Sequence, residues 1–223
     1  MKEISKKLFW IGHASFYLKS GGYTIYIDPF RVSDKIAKTE KADLILVTHA
    51  HFDHFSKEDI EKISKEGTKI IASTQTLEAS DNVQIATPGF KSSFHGIEIE
   101  AVPAYNIKSE RLSFHPKSNR WVGYVLEAEG ERIYHAGDTD AIPEMKSLEG
   151  IDYALLPIGG TYTMDVQEAI EAAGYINPKH VIPMHYKNLL GEEGSKKAEQ
   201  MLKAGLDNVL DLKEVQKPTY SFQ

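Results

Sequence analysis

Four side chains with metal-binding chemistry crowd into positions 49–54: His49, His51, Asp53 and His54, in Thr48-His49-Ala50-His51-Phe52-Asp53-His54. Imidazole nitrogen and carboxylate oxygen are the donors that borderline divalent cations prefer. The pattern follows Leu44-Ile45-Leu46-Val47, an apolar run that reads as a buried strand. It precedes Ser56, which opens a helical pattern reaching about residue 66, with Asp59 as its capping-box partner and Gly67 as its stop. The donors therefore occupy a short loop between two rigid elements. In extended backbone His49 and His51 project to the same side. Asp53 and His54 come after the bend and can address a second, neighbouring ion. Close spacing keeps the entropic cost of assembling them small.

The surrounding elements must hold this loop against other donors. Residues 8–11 and 15–19 read as strands, Gly21-Gly22 as a hairpin turn, and Tyr23–Ile27 as the returning strand, ended by Asp28-Pro29-Phe30. Residues 31–41 read as polar and irregular. Further strands are expected over 68–72, 83–86, 96–103, 121–127, 132–136, 152–156 and 181–184. Residues 104–120 form a loop of the length that folded domains keep for function or mobility. Asp165, with Glu168 as box partner, caps a helix stopped by Gly174. A last helix covers 195–204 with Ala198, Met201 and Leu202 inward, and the tail from Asp207 adds a strand or hairpin at a sheet edge. Strands and helices occur in both halves, which predicts two mixed sheets with helices outside. No linker divides the chain, so 1–223 reads as a single domain. One regularity matters most: polar donors recur just past strand ends, His49 after 44–47, Asp138 after 132–136 and His185 after 181–184. Ligands gather outside the carboxyl ends of strands in open α/β sheets, so separate strands converge on one site.

Composition narrows the function class. The chain has 223 residues, 41% hydrophobic, enough to bury a sizeable core. Its net charge of −6 and the lack of a basic run argue against a nucleic-acid partner. It has no cysteine, which removes disulfides and thiolate zinc sites. No segment reads as a secretory leader, and no apolar run approaches the ~20 residues of a membrane span. A soluble cytoplasmic protein is expected. Its oligomeric state is not legible, and a homo-oligomer is compatible with everything above.

Four segments in order, Trp10-Ile11-Gly12-His13-Ala14-Ser15, the 49–54 motif, His135-Ala136-Gly137-Asp138-Thr139 and Pro183-Met184-His185-Tyr186, resemble the metallo-β-lactamase superfamily of metal-dependent hydrolases. The similar branch holds ascorbate-6-phosphate lactonase-like proteins and N-acylphosphatidylethanolamine phospholipases. The resemblance implies an α/β fold, a four-layer αβ/βα sandwich of two mixed sheets, with a dinuclear site between the sheets. It implies that His49 and His51 bind one ion, that Asp53, His54 and His185 bind the other, and that Asp138 bridges them. The chain departs from the family at the remaining ligand of the first ion. Pro103-Ala104 is followed by Tyr105-Asn106, where related members carry a histidine. His115, or Asn106 through its amide oxygen, can fill that place, and imidazole is the better donor.

The expected cofactor is a pair of divalent ions, zinc by donor type, with manganese or iron compatible. Two such ions outweigh the charges of Asp53, Asp138 and a bridging hydroxide, so the site stays net positive and favours an anionic substrate or transition state. They lower the pKa of bound water from ~15.7 to about 7, and Asp53 orients the hydroxide and takes its proton. The expected reaction is hydrolysis of an ester, phosphoester or lactone of an anionic small molecule. The alternatives are a nuclease-type phosphodiesterase on the same scaffold, or a non-catalytic metal-binding protein whose loop blocks the cleft.

Other residues have two readings each. His13 supports the site or packs in the core. His135 alternates away from the ions, in a supporting or structural role. His95 and His180 face solvent. The 159–164 turn, with Thr161 and Tyr162 as substrate-side candidates, offers backbone N–H groups to an anion or is an ordinary connection. Tyr105, Phe114, Trp121 and Tyr162 wall the pocket or fill the core.

Overall fold

Alternation along each strand decides which layer a side chain enters. In β4 (Leu44–Val47), Leu44 and Leu46 join the main core cluster, while Ile45 and Val47 join a second cluster with helical residues Ile36, Ala37, Ile60 and Ile63. The computed structural model describes residues 4–218. The first sheet runs β1 (Leu8–Gly12), β2 (Ser15–Ser20), β3 (Tyr23–Ile27), β4, β5 (Lys69–Ser73) and β6 (Val83–Ala86), in that spatial order. β1, β2 and β3 pair antiparallel, and β3 through β6 pair parallel.

The second sheet holds β7 (Lys91–Phe94), β8 (Ile97–Pro103), β9 (Val122–Ala128), β10 (Glu131–His135), β11 (Tyr153–Pro157) and β12 (His180–Met184). β7 to β10 are antiparallel neighbours, and β10, β11 and β12 are parallel. The main core joins Phe16, Ile25 and Ile27 of the first sheet to Ile99, Tyr124 and Leu126 of the second. The Tyr124 hydroxyl donates across to the carbonyls of Val47 at 3.0 Å and Ile71 at 3.2 Å, tying the sheets together beside the ligand loop. Helices α1 (Asp34–Thr39) and α2 (Lys57–Ile63) cover the first sheet. Helices α3 (Val166–Ile176) and α4 (Lys187–Gly205) cover the second. The architecture is the expected pair of mixed sheets with helices outside.

Several element expectations need correction. Residues 31–41 are not irregular throughout: Ser33 accepts from the Ile36 amide and starts α1, which buries Ile36 and Ala37. It is too short for its apolar period to show. β7, Lys-Ser-Ser-Phe, is an edge strand too polar to announce itself. α2 stops at Ile63, and its cap is half a box: Ser56 takes the Asp59 amide at 3.2 Å, but the Asp59 carboxylate turns to the amides of Arg31 and Val32. α3 passes Gly174 and ends at Ile176, where Asn177 adopts the left-handed conformation (φ 50°) that closes a helix. α4 begins at Lys187 and breaks at Gly191 (φ 64°). Within it Ala198 and Leu202 are buried, but Met201 is 59% exposed. The tail forms single parallel bridges, Val209 on Val181 and Glu214 on Trp10, and the Gln216 amide accepts from Ser33 N–H and donates to the Arg31 carbonyl. Among the described residues no helix is long and apolar enough to cross a membrane.

Candidate metal centre

The site lies where strand ends of both sheets meet. β1 delivers His13, β3 delivers Asp28, β4 delivers Thr48 to His54, β10 leads to Asp138, and β12 delivers His185. Backbone bonds lock these ends together: Val122 N–H donates to the Thr48 carbonyl, and His185 N–H to the His13 carbonyl. Two glycines permit the close approach. A Cβ on Gly137 (φ 64°) would meet the Val122 carbonyl at 2.9 Å, and one on Gly159 would clash with the His185 carbonyl.

Hydrogen bonds fix which imidazole nitrogens face inward. Thr48 Oγ1 donates its one proton to Asp28 Oδ2 at 2.6 Å, so His49 Nδ1, 3.0 Å away, must be the donor to Oγ1. His54 Nδ1 lies 2.7 Å from Asp28 Oδ2, an acceptor only. His115 Nδ1 lies 2.8 Å from Asn106 Oδ1, whose amide is oriented by Nδ2 donating to Asp140 Oδ1 and the Tyr162 carbonyl. In all three histidines Nδ1 is the donor, which turns Nε2 toward the cluster.

Imidazole Nε2 atoms converge on Asp138, which is 4% exposed. His54 Nε2 is 3.2 Å from Asp138 Oδ1; His115 Nε2 at 3.2 Å, His185 Nε2 at 3.1 Å and His49 Nε2 at 3.9 Å approach Oδ2. His54 Nε2, His115 Nε2, His185 Nε2 and Asp138 Oδ1 are buried and make no hydrogen bond despite this proximity. Donors at ~2.1 Å from a tetrahedral ion sit about 3.4 Å apart, so these spacings suit a cation among them. Two donor groups emerge, His49-His51-His115-Asp138 and His13-Asp53-His54-His185, each with its donor atoms within 4.8 Å of one another. A third grouping, Asp28-His49-His54, lies behind them, on the Nδ1 side of His49 and His54.

Charge is strained in the same way. Burial opposes a proton on His54, but Asp138 and Asp28 on either side hold its pKa well above the usual imidazole value. Burial, then the neighbouring His54, keeps His49 well below it. Burial would raise the Asp138 carboxyl, yet His185 and His54 hold it far below the carboxylate range. A cation between these groups satisfies all of them at once, in competition with protons. Burial and His185 push His13 down to about 4. Its Nε2 stands 2.9 Å from Asp53 Oδ2, so a neutral His13 donates to that carboxylate and aims it.

The remaining candidates are placed as follows. Asn106 faces His115 with its amide oxygen, as a clamp on that ring. His135 is fully buried; its Nε2 lies 2.8 Å from the Ala14 carbonyl and its Nδ1 accepts the Gly137 amide, away from the cluster. His95 is exposed and stacks on Tyr23, whereas His180 is half-buried against Tyr153. Trp121 is buried against His49 and His51, and Tyr105 is buried with its hydroxyl on Glu144. Phe114 and Tyr162 do wall the cleft, a space of about 370 Å³ also lined by Phe52 and Leu189. Thr161 is exposed and outside that lining. The 159–164 turn does not present a bare helix end: Asp165 and Glu168 cap α3 themselves.

Three supports escape a reading of the sequence. Asp28 orients His54 directly and His49 through Thr48. It stands just past a strand end, the same signal that marks His49, Asp138 and His185. Asp140 accepts from Asn106 Nδ2 and from the amides of Ile107 and Lys108. Arg111, 4% exposed, pairs with Asp140 at 2.9 Å and with Glu168 at 2.6 Å, and donates to the Thr163 carbonyl. Nothing local in the sequence marks these last two.

Known proteins resemble this chain in sequence and fold. A UPF0173 metal-dependent hydrolase of Pyrococcus furiosus is 39% identical over 196 residues, covering 81% of this chain and 84% of its own. The crystal structure of a protein from Parabacteroides distasonis assigned as a metal-dependent hydrolase superposes with a TM-score of 0.78 at 35% identity, covering 94% of this chain and 93% of that one. Igni18, a metallo hydrolase of Ignicoccus hospitalis, gives 0.74 at 26% identity, with 94% and 95% covered. The profile of the β-lactamase superfamily domain matches residues 7–185. The chain therefore belongs to the metallo-β-lactamase superfamily and is one of its metal-dependent hydrolases.

Proposed function

We propose that the centre holds two divalent ions, zinc or manganese by donor type, and hydrolyses an ester, phosphoester or lactone. His49, His51 and His115 would hold one ion and Asp53, His54 and His185 the other, with Asp138 serving both groups. The observation that carries this is the convergence of buried imidazole Nε2 atoms on one buried carboxylate without hydrogen bonds between them. Ions bound there supply Lewis acidity and lower the pKa of water from ~15.7 to about 7.

The chain's own residues do the rest. Burial raises the Asp53 carboxyl, but the His13 hydrogen bond and the charge of His54 prevail and keep it ionised. Held by His13, Asp53 orients the attacking water and accepts its proton. Water adds to the carbonyl carbon or phosphorus, and the leaving oxygen departs with its electron pair and takes up a proton. The net positive centre favours the negative charge that develops on the reacting group.

Metal analysis of the purified protein, with anomalous scattering from crystals, is the test. Two peaks flanking Asp138, and ester or lactone turnover abolished by chelation and restored by zinc or manganese, are expected. A single peak, or ions away from these side chains, would refute the assignment.

A further inference from the structure

Resting on that reading, we infer that the substrate is a neutral ester or lactone with a medium-sized apolar body, seated on Phe52, Phe114, Tyr162 and Leu189. The polar residues lining the cleft are all candidates for ion binding; its other walls are those four apolar or aromatic side chains. Phe52 is 67% exposed and Tyr162 39%, large rings standing in water at the mouth of the site. Ile107 and Leu112, at 47% and 48%, are exposed on the same loop that carries Phe114 and His115. Exposed rings that line a cleft mark a place where something apolar is covered. The rings are set as walls: Phe114 and Tyr162 meet edge to face at 4.8 Å, and Phe52 meets Phe30 the same way at 6.0 Å.

Recognition of a fixed anion is not built into this cleft. Among the described residues no lysine or arginine lines it. Arg111 is buried against Asp140 and Glu168, Lys108 pairs with Glu168, and Lys187 pairs with Glu214 over the Trp10 ring. The N-terminus of α3 is closed by its own capping box. A phosphate or carboxylate remote from the reacting bond would therefore lose water and gain no counter-charge. A neutral ester avoids that loss, and its negative charge appears only in the transition state, where the centre is positive. The volume of about 370 Å³ is near the small end for ligand sites (~300–1,000 Å³), which suits a small molecule rather than a polymer.

Chain-length series on a fixed metal-binding head test this. Zinc-loaded protein is titrated calorimetrically with acetohydroxamate, butyrohydroxamate, hexanohydroxamate and octanohydroxamate, and with the monohydroxamate of succinic acid as a carboxylate-tailed comparator. Affinity should rise about two- to fourfold per added methylene before levelling off, and the succinic compound should bind more weakly than butyrohydroxamate. Phe52→Ser and Tyr162→Ser, both at exposed positions, should flatten the series while metal content stays the same. A flat series in the wild type, or preference for the carboxylate tail, overturns the inference and leaves the hydrolase assignment standing. A steep series without turnover of p-nitrophenyl esters from acetate to octanoate, or of lactones, removes the proposed reaction but not the apolar seat. Loss of all hydroxamate binding despite bound zinc overturns both.

Discussion

The two halves of the centre are built by different means. Around Asp53, His54 and His185, every donor leaves from a strand end or the loop just after it, and the groups aiming them, His13 and Asp28, are strand-end residues too. Around His49, His51 and His115, the third donor hangs from the 104–120 loop. Its ring is set by Asn106, Asn106 by Asp140, and Asp140 is paired with Arg111, itself pinned to Glu168 on α3. A donor with a sheet behind it needs at most one hydrogen bond to be aimed: Asp53 takes one from His13, His54 gives one to Asp28, and the His185 ring rests against His13 without one. A donor on a loop needs a buried polar frame, and buried charges hold only while each keeps its partner.

The largest expected effect is on that frame. Arg111→Met leaves Asp140 and Glu168 without their shared counter-charge, which should cost about 3–5 kcal/mol. In a thermal melt that is a fall of ~10 °C, accompanied by loss of the ion on the His115 side. His115→Ala should leave stability nearly intact and weaken that ion by about 100-fold or more, beyond what loss of a supporting group does. Metal stoichiometry should drop from two to one, and retention of two tightly held ions would place the third donor elsewhere.

Supporting groups separate the halves more finely. Asn106→Ala should weaken only the ion bound by His115, by about 10–100-fold in a competitive chelator titration. Asp28→Asn should weaken both, because Asp28 reaches His54 directly and His49 through Thr48. Equal effects of the two substitutions on both ions would erase the distinction between the halves.

The smallest effect concerns acid. Burial raises the Glu168 carboxyl, but its bonds to Arg111 and Lys108 outweigh this and hold it near 2, against an ordinary 4.5. A depressed carboxyl adds stability above its unfolded pKa and loses it as pH falls toward the folded one. The gap in urea midpoint between wild type and Glu168→Gln, measured on metal-free protein, should therefore be full at pH 6 and close from about 4.5 downward.

The same contrast explains what could be read from sequence. Donors beside strands announce themselves, because an apolar run ending in histidine or aspartate is a local pattern. Asp28 obeys it too, yet the proline after it makes the segment read as a turn. Asn106 reads as a rival ligand, since its clamp on His115 depends on Asp140, 34 positions away. The Arg111–Glu168 pair spans 57 positions and leaves no local trace. Helix ends shift where local signals mislead: Gly174 lies within α3 because Asn177 supplies the left-handed residue, and α4 starts at Lys187, ahead of the expected 195, with a break at Gly191.

The bond from His185 N–H to the His13 carbonyl joins the two ends of the ligand set, and it bears on biosynthesis. A growing chain releases the histidines of 49–54 long before His185 leaves the ribosome. Until then the exposed cluster can chelate cations only in an unfinished cage. Completing the donor cluster coincides with docking of β12 on β11, so any ion that needs His185 can be gripped only once the second sheet has closed.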